Sequence, residues 1–317
     1  MTATASQATV QSSLAGTLFL VNPAAGGGRG GRRWRRLRET FPELDGARVL
    51  MASDDASARR ELRDAFEAGG VDRLIAVGGD GTAHLAANVL LAAEDDGVLE
   101  ASRVPFGLVP AGTGSDLSRH LGLPGRPAKA LRQVLVATPK PLDAMVLEAD
   151  DGRREFVLNI ASGGLSGSVV QAIDANPRRG QLSYLQSTVQ GLLKYRPAGC
   201  RVHIDGRAVE RDEFLVVAVA NGQFFGRGMK VAPGARSDDG RLEVVLIAPV
   251  PSWKLPWLLP QFLVGRHVHH PAVQVHPATR VRLEPEPGFR PFELDGEVFD
   301  AAAVELSIRP SALRVLR

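Results

Sequence analysis

The sequence predicts an open α/β domain followed by an antiparallel β domain that carries helical insertions. Up to Pro141, apolar runs of strand length alternate with helix-compatible segments, and every glycine-rich loop follows the carboxyl end of a strand. That alternation marks an open sheet whose ligand crevice lies along one edge. Beyond Pro141 the runs shorten and are separated by Asp151-Gly152, Asp205-Gly206, Asp239-Gly240 and Asp295-Gly296, the punctuation of antiparallel hairpins. A length of 317 residues suits two domains of roughly 100–200 residues each.

Thr17 to Val21 reads as a buried strand that stops at Asn22-Pro23 and a glycine cluster, Gly26 to Gly31; Arg32 to Leu37 then suit a helix start. Arg48 to Met51 is a short strand. Ala58 to Ala68 carries Leu62, Ala65 and Phe66 at helical spacing, with charges on the other face. Leu74 to Val77 is the next strand, followed by a second glycine loop and a helix through Leu91. Pro105 to Pro110 is a further buried strand, running into Ala111 to Asp116 and a helix from Leu117 to Leu121. In the second part, strand-like runs are Val146 to Glu148, Glu155 to Ile160, Arg201 to Ile204, Phe214 to Ala220, Leu242 to Ile247, Val273 to Val275, Val281 to Leu283 and Phe292 to Leu294. Helical interludes fall at Leu165 to Ala175 and Leu182 to Tyr195. The last stretch, Val304 to Leu316, begins as a strand and could close either domain.

Composition is that of an ordinary soluble globular chain, rich in Gly and Pro. The net charge of +3 is small and the basic residues are nearly all Arg, with five lysines, so nothing points to a nucleic-acid surface. One cysteine, Cys200, excludes an intramolecular disulfide framework and a Cys-built zinc site. A reducing, cytoplasmic setting is the default. Residues 1–15 are small and polar and read as a disordered tail rather than a signal peptide. No run of ~18 apolar residues suggests a membrane span.

The stretch Leu74 to Leu85 organises the chemistry. Glycines at 78, 79 and 81 let backbone N–H groups approach a ligand closely, and at a helix start such groups seat phosphate oxygens. Asp80 puts a carboxylate inside that seat, which makes sense if it holds a divalent cation or a hydroxyl. A strand-to-helix turn with Asp80 as helix N-cap is the alternative. The first glycine loop is not a Walker A motif, because the chain contains no Gly-Lys dipeptide. Gly26, Gly28 and Gly31 fit G-x-G-x-x-G, but in so Gly-dense a loop the match carries little, and a flexible linker is the alternative there.

Taken together, Val21-Asn22-Pro23 with its glycine cluster, Gly78-Gly79-Asp80-Gly81-Thr82 and Pro110 to Asp116 resemble the diacylglycerol kinase catalytic-domain family, in its bacterial soluble lipid-kinase branch. The second domain agrees: Asn221-Gly222-Gln223, Gly226 to Gly228, Val231 to Ala235 and Asp238 to Leu242 resemble the family's segment of that layout, and Asp295-Gly296-Glu297 its late catalytic turn. The resemblance implies an α/β domain over 16–141 that binds ATP, with 304–317 returning to it, and a β-sandwich over 142–303 that holds a lipid. By position, Asn22, Pro23, Gly26, Gly79, Asp80, Gly81, Thr82, Gly112 and Thr113 line the nucleotide. Asp80 and Asp116 belong to the network around a catalytic Mg²⁺, and Glu297 resembles the general base. Asp238 and Asp239, with the carbonyl of Leu242, resemble a structural metal site. Ordinary turn chemistry is the alternative for Asp238 and Asp239.

Several positions depart from the family pattern. Ala25 and Gly27 stand where the first loop usually carries a Ser and a basic residue; Arg29 or Arg32 would supply the charge. His84-Leu85 replaces the common Asn-Glu, with His84 read as structural rather than nucleotide-contacting. Ser115 replaces the usual Asn before Asp116.

Pro251 to His270 holds Trp253, Trp257, Phe262 and several leucines beside Lys254, Arg266, His267, His269 and His270. Indoles beside basic groups suit the boundary of an anionic bilayer; a core helix broken by Pro256 and Pro260 is the competing reading. The three histidines have no spacing that suits a metal. The expected activity is ATP- and Mg²⁺-dependent phosphorylation of a membrane lipid hydroxyl, diacylglycerol before a sphingoid base, ceramide or another lipid alcohol. The expected partners are a lipid at the inner membrane face, no nucleic acid, and room for a homodimer. A NAD kinase-like enzyme and a non-catalytic nucleotide- or lipid-binding regulator are the rivals.

Overall fold

A computed structural model of the chain describes residues 14, 16–52, 54–112, 114–167, 197–251 and 254–317. The expected tail, apart from Leu14, and nearly all of the two helical interludes lie outside the described residues. The chain divides into two compact units: Met1–Leu142 with Ser311–Arg317, and Asp143–Pro310.

The first unit is built on a parallel sheet. Strand β1 (Thr17–Val21) pairs with β2 (Arg48–Met51) on one side and with β3 (Arg73–Gly78) on the other; β3 pairs with β4 (Phe106–Pro110). All of β1 and β4, and β3 from Leu74, is buried. Continuous apolar runs are what a parallel sheet covered on both faces requires. Helices α1 (Gly30–Thr40), α2 (Asp55–Glu67), α3 (Asp80–Asp95), α4 (Asp116–His120) and α5 (Pro127–Val136) connect the strands. Trp34 and Leu37 form the inner stripe of α1, with Trp34 tilted against Phe19 at a centroid distance of 5.4 Å. Asp54 caps α2 by accepting from the Ser57 N–H at 2.8 Å, and that N–H, with the Ser57 hydroxyl, holds its carboxyl below the usual value. The sequence reading gave no helix between Leu121 and Pro141. Yet α5 has Pro at its start and buries Ala130, Leu131 and Val134 along one face.

The second unit is an antiparallel β-sandwich. Its strands, in chain order, are β5 (Pro139–Ala149, entered from the first unit), β6 (Arg154–Val157), β7 (Ile160–Gly164), β8 (Ala198–Ile204), β9 (Arg207–Ala208), β10 (Glu213–Phe214), β11 (Val216–Ala220), β12 (Leu242–Ile247), β13 (Val273–Ala278), β14 (Arg280–Pro285), β15 (Phe292–Leu294), β16 (Glu297–Phe299) and β17 (Val304–Leu316). One sheet runs β13-β12-β11-β7-β15-β16. In the other layer β8 pairs with β9, β10 and β14, β14 pairs with Val304 to Ser307 of β17, and β5 makes a hairpin with β6. Val217, Val219, Val244, Val202, Val281, Phe289 and Phe292 fill the space between them.

Two expectations change here. Glu155 to Ile160 is not one strand: the chain turns at Leu158 and Asn159, so β6 and β7 pair with different neighbours. Pro256 and Pro260 do not break the helix α6 (Leu255–Val264). Pro256 sits in the first turn, where a missing N–H has no intrahelical partner to lose, while Pro260 is tolerated inside. Helix α6 covers the outer face of the sheet through Leu258, with Phe262 half-buried beside Val231 and Ala232. Trp253 lies outside the described residues.

The last strand serves both units. Val304 to Ser307 is held by β14, while Val315 lies in parallel register with Phe106 of β4. The boundary therefore falls at Pro310–Ser311 rather than at Val304.

Candidate functional site

In the first unit three loops leave the carboxyl ends of β1, β3 and β4 and meet. Asn22 shapes the first: its side-chain oxygen accepts from the N–H groups of Ala24 (2.9 Å) and Ala25 (3.2 Å), and its own N–H reaches the Val77 carbonyl at 3.1 Å. Pro23 follows it in the turn. Gly26 and Gly27 then take φ values of 65° and 71°, a region that a side chain strongly disfavours. A Cβ on Gly26 would lie 2.8 Å from the Ala111 carbonyl, so the first loop is packed against the third.

Arg33, which the sequence reading did not single out, ties the same two loops. Its guanidinium donates to the carbonyls of Ala111 and, at 3.2 Å, of Gly112. Arg29 instead folds onto the Gly26 carbonyl at 2.7 Å. The only hint of Arg33 in the sequence is its place on the first turn after a glycine loop, shared with its neighbour Arg32.

The second and third loops touch backbone to backbone. A Cβ on Gly112 would lie 2.5 Å from Gly79 Cα and 3.1 Å from its nitrogen. The N–H groups of Ala111 and Gly112 both donate to the Gly78 carbonyl, at 2.7 and 3.0 Å. Gly79 is the N-cap of α3, with Asp80, Gly81 and Thr82 as its first residues, so N–H groups without helical partners face out of this junction. Thr82 is buried, and its hydroxyl has no hydrogen-bond partner in the protein. An orphaned hydroxyl beside open helix N–H groups fits an anionic oxygen. Thr113 lies outside the described residues.

Asp80 does cap a helix, but not the one it begins. Its carboxylate oxygens accept from the N–H groups of Asp116 (3.0 Å) and Leu117 (3.1 Å), at the start of α4. Asp116, buried, pairs with Arg119. Both carboxylates converge on Gly114, where a Cβ would meet Asp80 Oδ2 at 3.0 Å and Asp116 Oδ2 at 4.0 Å. A side chain there would fill the space between them. Two carboxylates in that space fit a hard divalent cation, since each oxygen keeps a second lone pair. Ser115 bridges the pair in left-handed backbone, φ 56°, where the family's Asn is more at ease. His84 is buried within α3, and its carbonyl accepts from Asn88 at 2.9 Å.

In the second unit Glu297 is exposed at the start of β16, just after the Asp295-Gly296 turn. The turn is anchored from below. The buried Asp295 carboxylate accepts from three consecutive N–H groups, Leu158 (2.9 Å), Asn159 (2.9 Å) and Ile160 (3.1 Å). Buried Glu293 accepts from Gly296 N–H and from the Ser162 hydroxyl, both at 2.6 Å. Glu297 thus stands on a hairpin fixed by two buried carboxylates.

Asp238 faces Arg236 at 3.3 Å, and Asp239 accepts from Arg241 N–H at 3.1 Å while Leu242 begins β12. Oxygen donors suit a hard cation, but here one carboxylate meets a guanidinium and the other shapes its own turn. Among the described residues no group of three or more His, Cys, Asp or Glu is arranged to hold a metal. His267 is turned inward, stacked on Phe262 at 4.0 Å with its Nε2 2.9 Å from the Val231 carbonyl; burial pushes its pKa down.

Residues 16–147 match the family model of the diacylglycerol kinase catalytic domain, and residues 159–317 that of the YegS C-terminal NAD kinase beta sandwich-like domain. The chain is 29% identical over 273 residues to "Diacylglycerol kinase" of Mycobacterium tuberculosis (strain ATCC 25618 / H37Rv), covering 85% of this chain and 84% of that protein. It is 32% identical over 214 residues to "Probable lipid kinase YegS-like" of Xanthomonas oryzae pv. oryzae (strain MAFF 311018), covering 67% and 66%. The fold matches the crystal structure of a diacylglycerol kinase from Bacillus anthracis str. Sterne with a TM-score of 0.69, 23% identity and coverage of 95% and 96%.

Proposed function

Because the chain belongs to the diacylglycerol kinase catalytic-domain family, completed by the YegS-type C-terminal domain, we propose that this lipid kinase is ATP- and Mg²⁺-dependent and phosphorylates the hydroxyl of diacylglycerol. The observation that carries the nucleotide half is the junction of Gly79 with Gly112, beside two carboxylates that converge over Gly114.

Phosphoryl transfer depends on positioning and on neutralising charge. N–H groups at the start of α3 and the Thr82 hydroxyl donate to phosphate oxygens, while Asn22, Pro23 and Gly26 shape the wall of the nucleotide site. Asp80 and Asp116 would hold Mg²⁺, which neutralises the phosphate charge when bound. Glu297 accepts the proton of the lipid hydroxyl as its oxygen bonds to the γ-phosphorus. The bond from that phosphorus to the bridging oxygen breaks, and ADP leaves with the electron pair. A structural cation on Asp238, Asp239 and the Leu242 carbonyl belongs to the same reading and competes with Arg236 for Asp238. The protein acts in the cytoplasm, in peripheral contact with the inner membrane face, with no nucleic-acid partner and with room for a homodimer. Among the described residues no helix is long and apolar enough to cross a membrane.

The test is incubation with γ-labelled ATP, Mg²⁺, and a panel of diacylglycerol, ceramide, a sphingoid base and NAD. Label in the diacylglycerol fraction is expected, and Glu297→Gln should lower it by about 10²–10⁴-fold with an unchanged melting temperature. Label in NADP, or in no product, refutes the reading.

A further inference from the structure

We propose that the last turn of α6 and the loop beside it form a docking surface for an anionic bilayer. The inference rests on the lipid-kinase reading for its purpose, but on separate observations for its place.

Helix α6 is two-sided. Leu258 and Phe262, four residues apart, face the sheet, whereas Leu263 and Val264 are 61% and 65% exposed. Leu263 and Val264 are thus adjacent large aliphatic side chains left in water. The helix ends on Gly265 in left-handed backbone, φ 72°, which turns the chain and brings Arg266 out to solvent next to them.

The neighbouring loop adds charge at the same end. Lys230 N–H donates to the Phe262 carbonyl at 2.7 Å, and a Cβ on Gly265 would lie 3.3 Å from Lys230 Cδ. Arg227 is exposed in the same loop, which Phe225 and Met229 close by bridging. Lys254, also exposed, lies at the opposite end of the helix, about 15 Å away. From Val244 to Leu283 the sequence contains no Asp or Glu; β12, just before it, does hold Glu243, which accepts from the Gly234 N–H at 3.2 Å.

Exposed aliphatic groups with Arg266, Lys230 and Arg227 at the same end, and no acid along the segment, complement a surface that is apolar beneath an anionic headgroup layer. A second copy of this chain would bring the same positive groups against themselves, and charge repulsion disfavours that occupant.

The experiment is sedimentation of the full chain with vesicles of phosphatidylcholine alone or with added phosphatidylglycerol. The wild type should bind the anionic vesicles selectively and less well as salt is raised. Two variants, Leu263→Asp with Val264→Asp and Arg227→Glu with Arg266→Glu, should each lower that binding by at least about tenfold. Leu263→Met should retain it. Equal binding to neutral vesicles, or wild-type binding by both variant pairs, overturns the proposal. So does a wild-type dimer that the Leu263→Asp, Val264→Asp variant dissociates, because the patch would then be a self-association face. Phosphorylation of a dissolved short-chain diacylglycerol by the wild type separates the two readings. Activity there with unaltered vesicle binding in the variants removes only the docking surface; docking as expected with no lipid phosphorylated removes only the kinase assignment.

Discussion

Replacing Gly112 by Ala tests the loop junction directly. The new methyl carbon would sit 2.5 Å from Gly79 Cα, against an ordinary carbon–carbon separation of about 3.5–4.0 Å. Both partners are backbone, so no side chain can swing aside, and one loop must retreat by about 1 Å. Overpacking of this kind costs about 1–3 kcal/mol, which lowers the melting temperature by roughly 2–12 °C for a unit of this size. A 1 Å displacement of positioning groups can also cost about 10²-fold in rate, so phosphorylation should fall far more than stability. Gly125→Ala is the control, since a Cβ there meets nothing within 4 Å and the backbone needs no glycine. Differential scanning fluorimetry and nucleotide titration read both effects. If Gly112→Ala melts and binds nucleotide like Gly125→Ala, the two loops do not touch as described and the nucleotide cradle loses its basis.

Other substitutions probe the rest. Asp295→Ala leaves three buried N–H groups without their acceptor, and urea denaturation should show a loss of more than about 3 kcal/mol; Glu297→Gln, exposed, should show none. Ser115→Gly relieves left-handed backbone at φ 56° and should raise stability by up to about 1 kcal/mol if relief outweighs the entropy of glycine. Arg33→Ala should weaken nucleotide binding, read by calorimetry, while Arg29→Ala should not. The buried thiol of Cys200 is pushed up from 9.0 to about 12, chiefly by desolvation. It should therefore ignore Ellman's reagent until the protein unfolds. Its contribution to stability is full below pH 9.0 and is lost as pH rises toward about 12, because the unfolded thiol gives up its proton first.

The sequence carries the layout of strands, helices and turns because that information is local. Asp205-Gly206 and Asp295-Gly296 both fold with positive φ at each residue, 47° and 80°, then 52° and 98°, the geometry that two-residue hairpin turns demand. The glycine loops at 26, 79 and 112 are equally plain from composition. What the sequence hides is which distant groups meet. Nothing near Asp80 says that its carboxylate caps a helix 36 residues further on, and nothing separates Arg33 from Arg29 or Arg32 except the position of Ala111 and Gly112. The helix across Pro260 was hidden for another reason. Local propensity argues against it, and burial of Leu258 and Phe262 against the sandwich overrides that preference.

The path of β17 constrains how the protein is made. Val315 is the neighbour of Phe106 in the first unit's sheet, yet a ribosome releases it only after the whole of Asp143–Pro310 has emerged. Until then one side of β4 presents bare amide and carbonyl groups to any passing strand, a template for mispairing. The first unit therefore stays unfinished while the second emerges, and seating Leu313, Val315 and Leu316, all fully buried, is the step that seals it. Slow translation through the codons of Ser311 to Leu316 should prolong that vulnerable interval and increase chaperone demand.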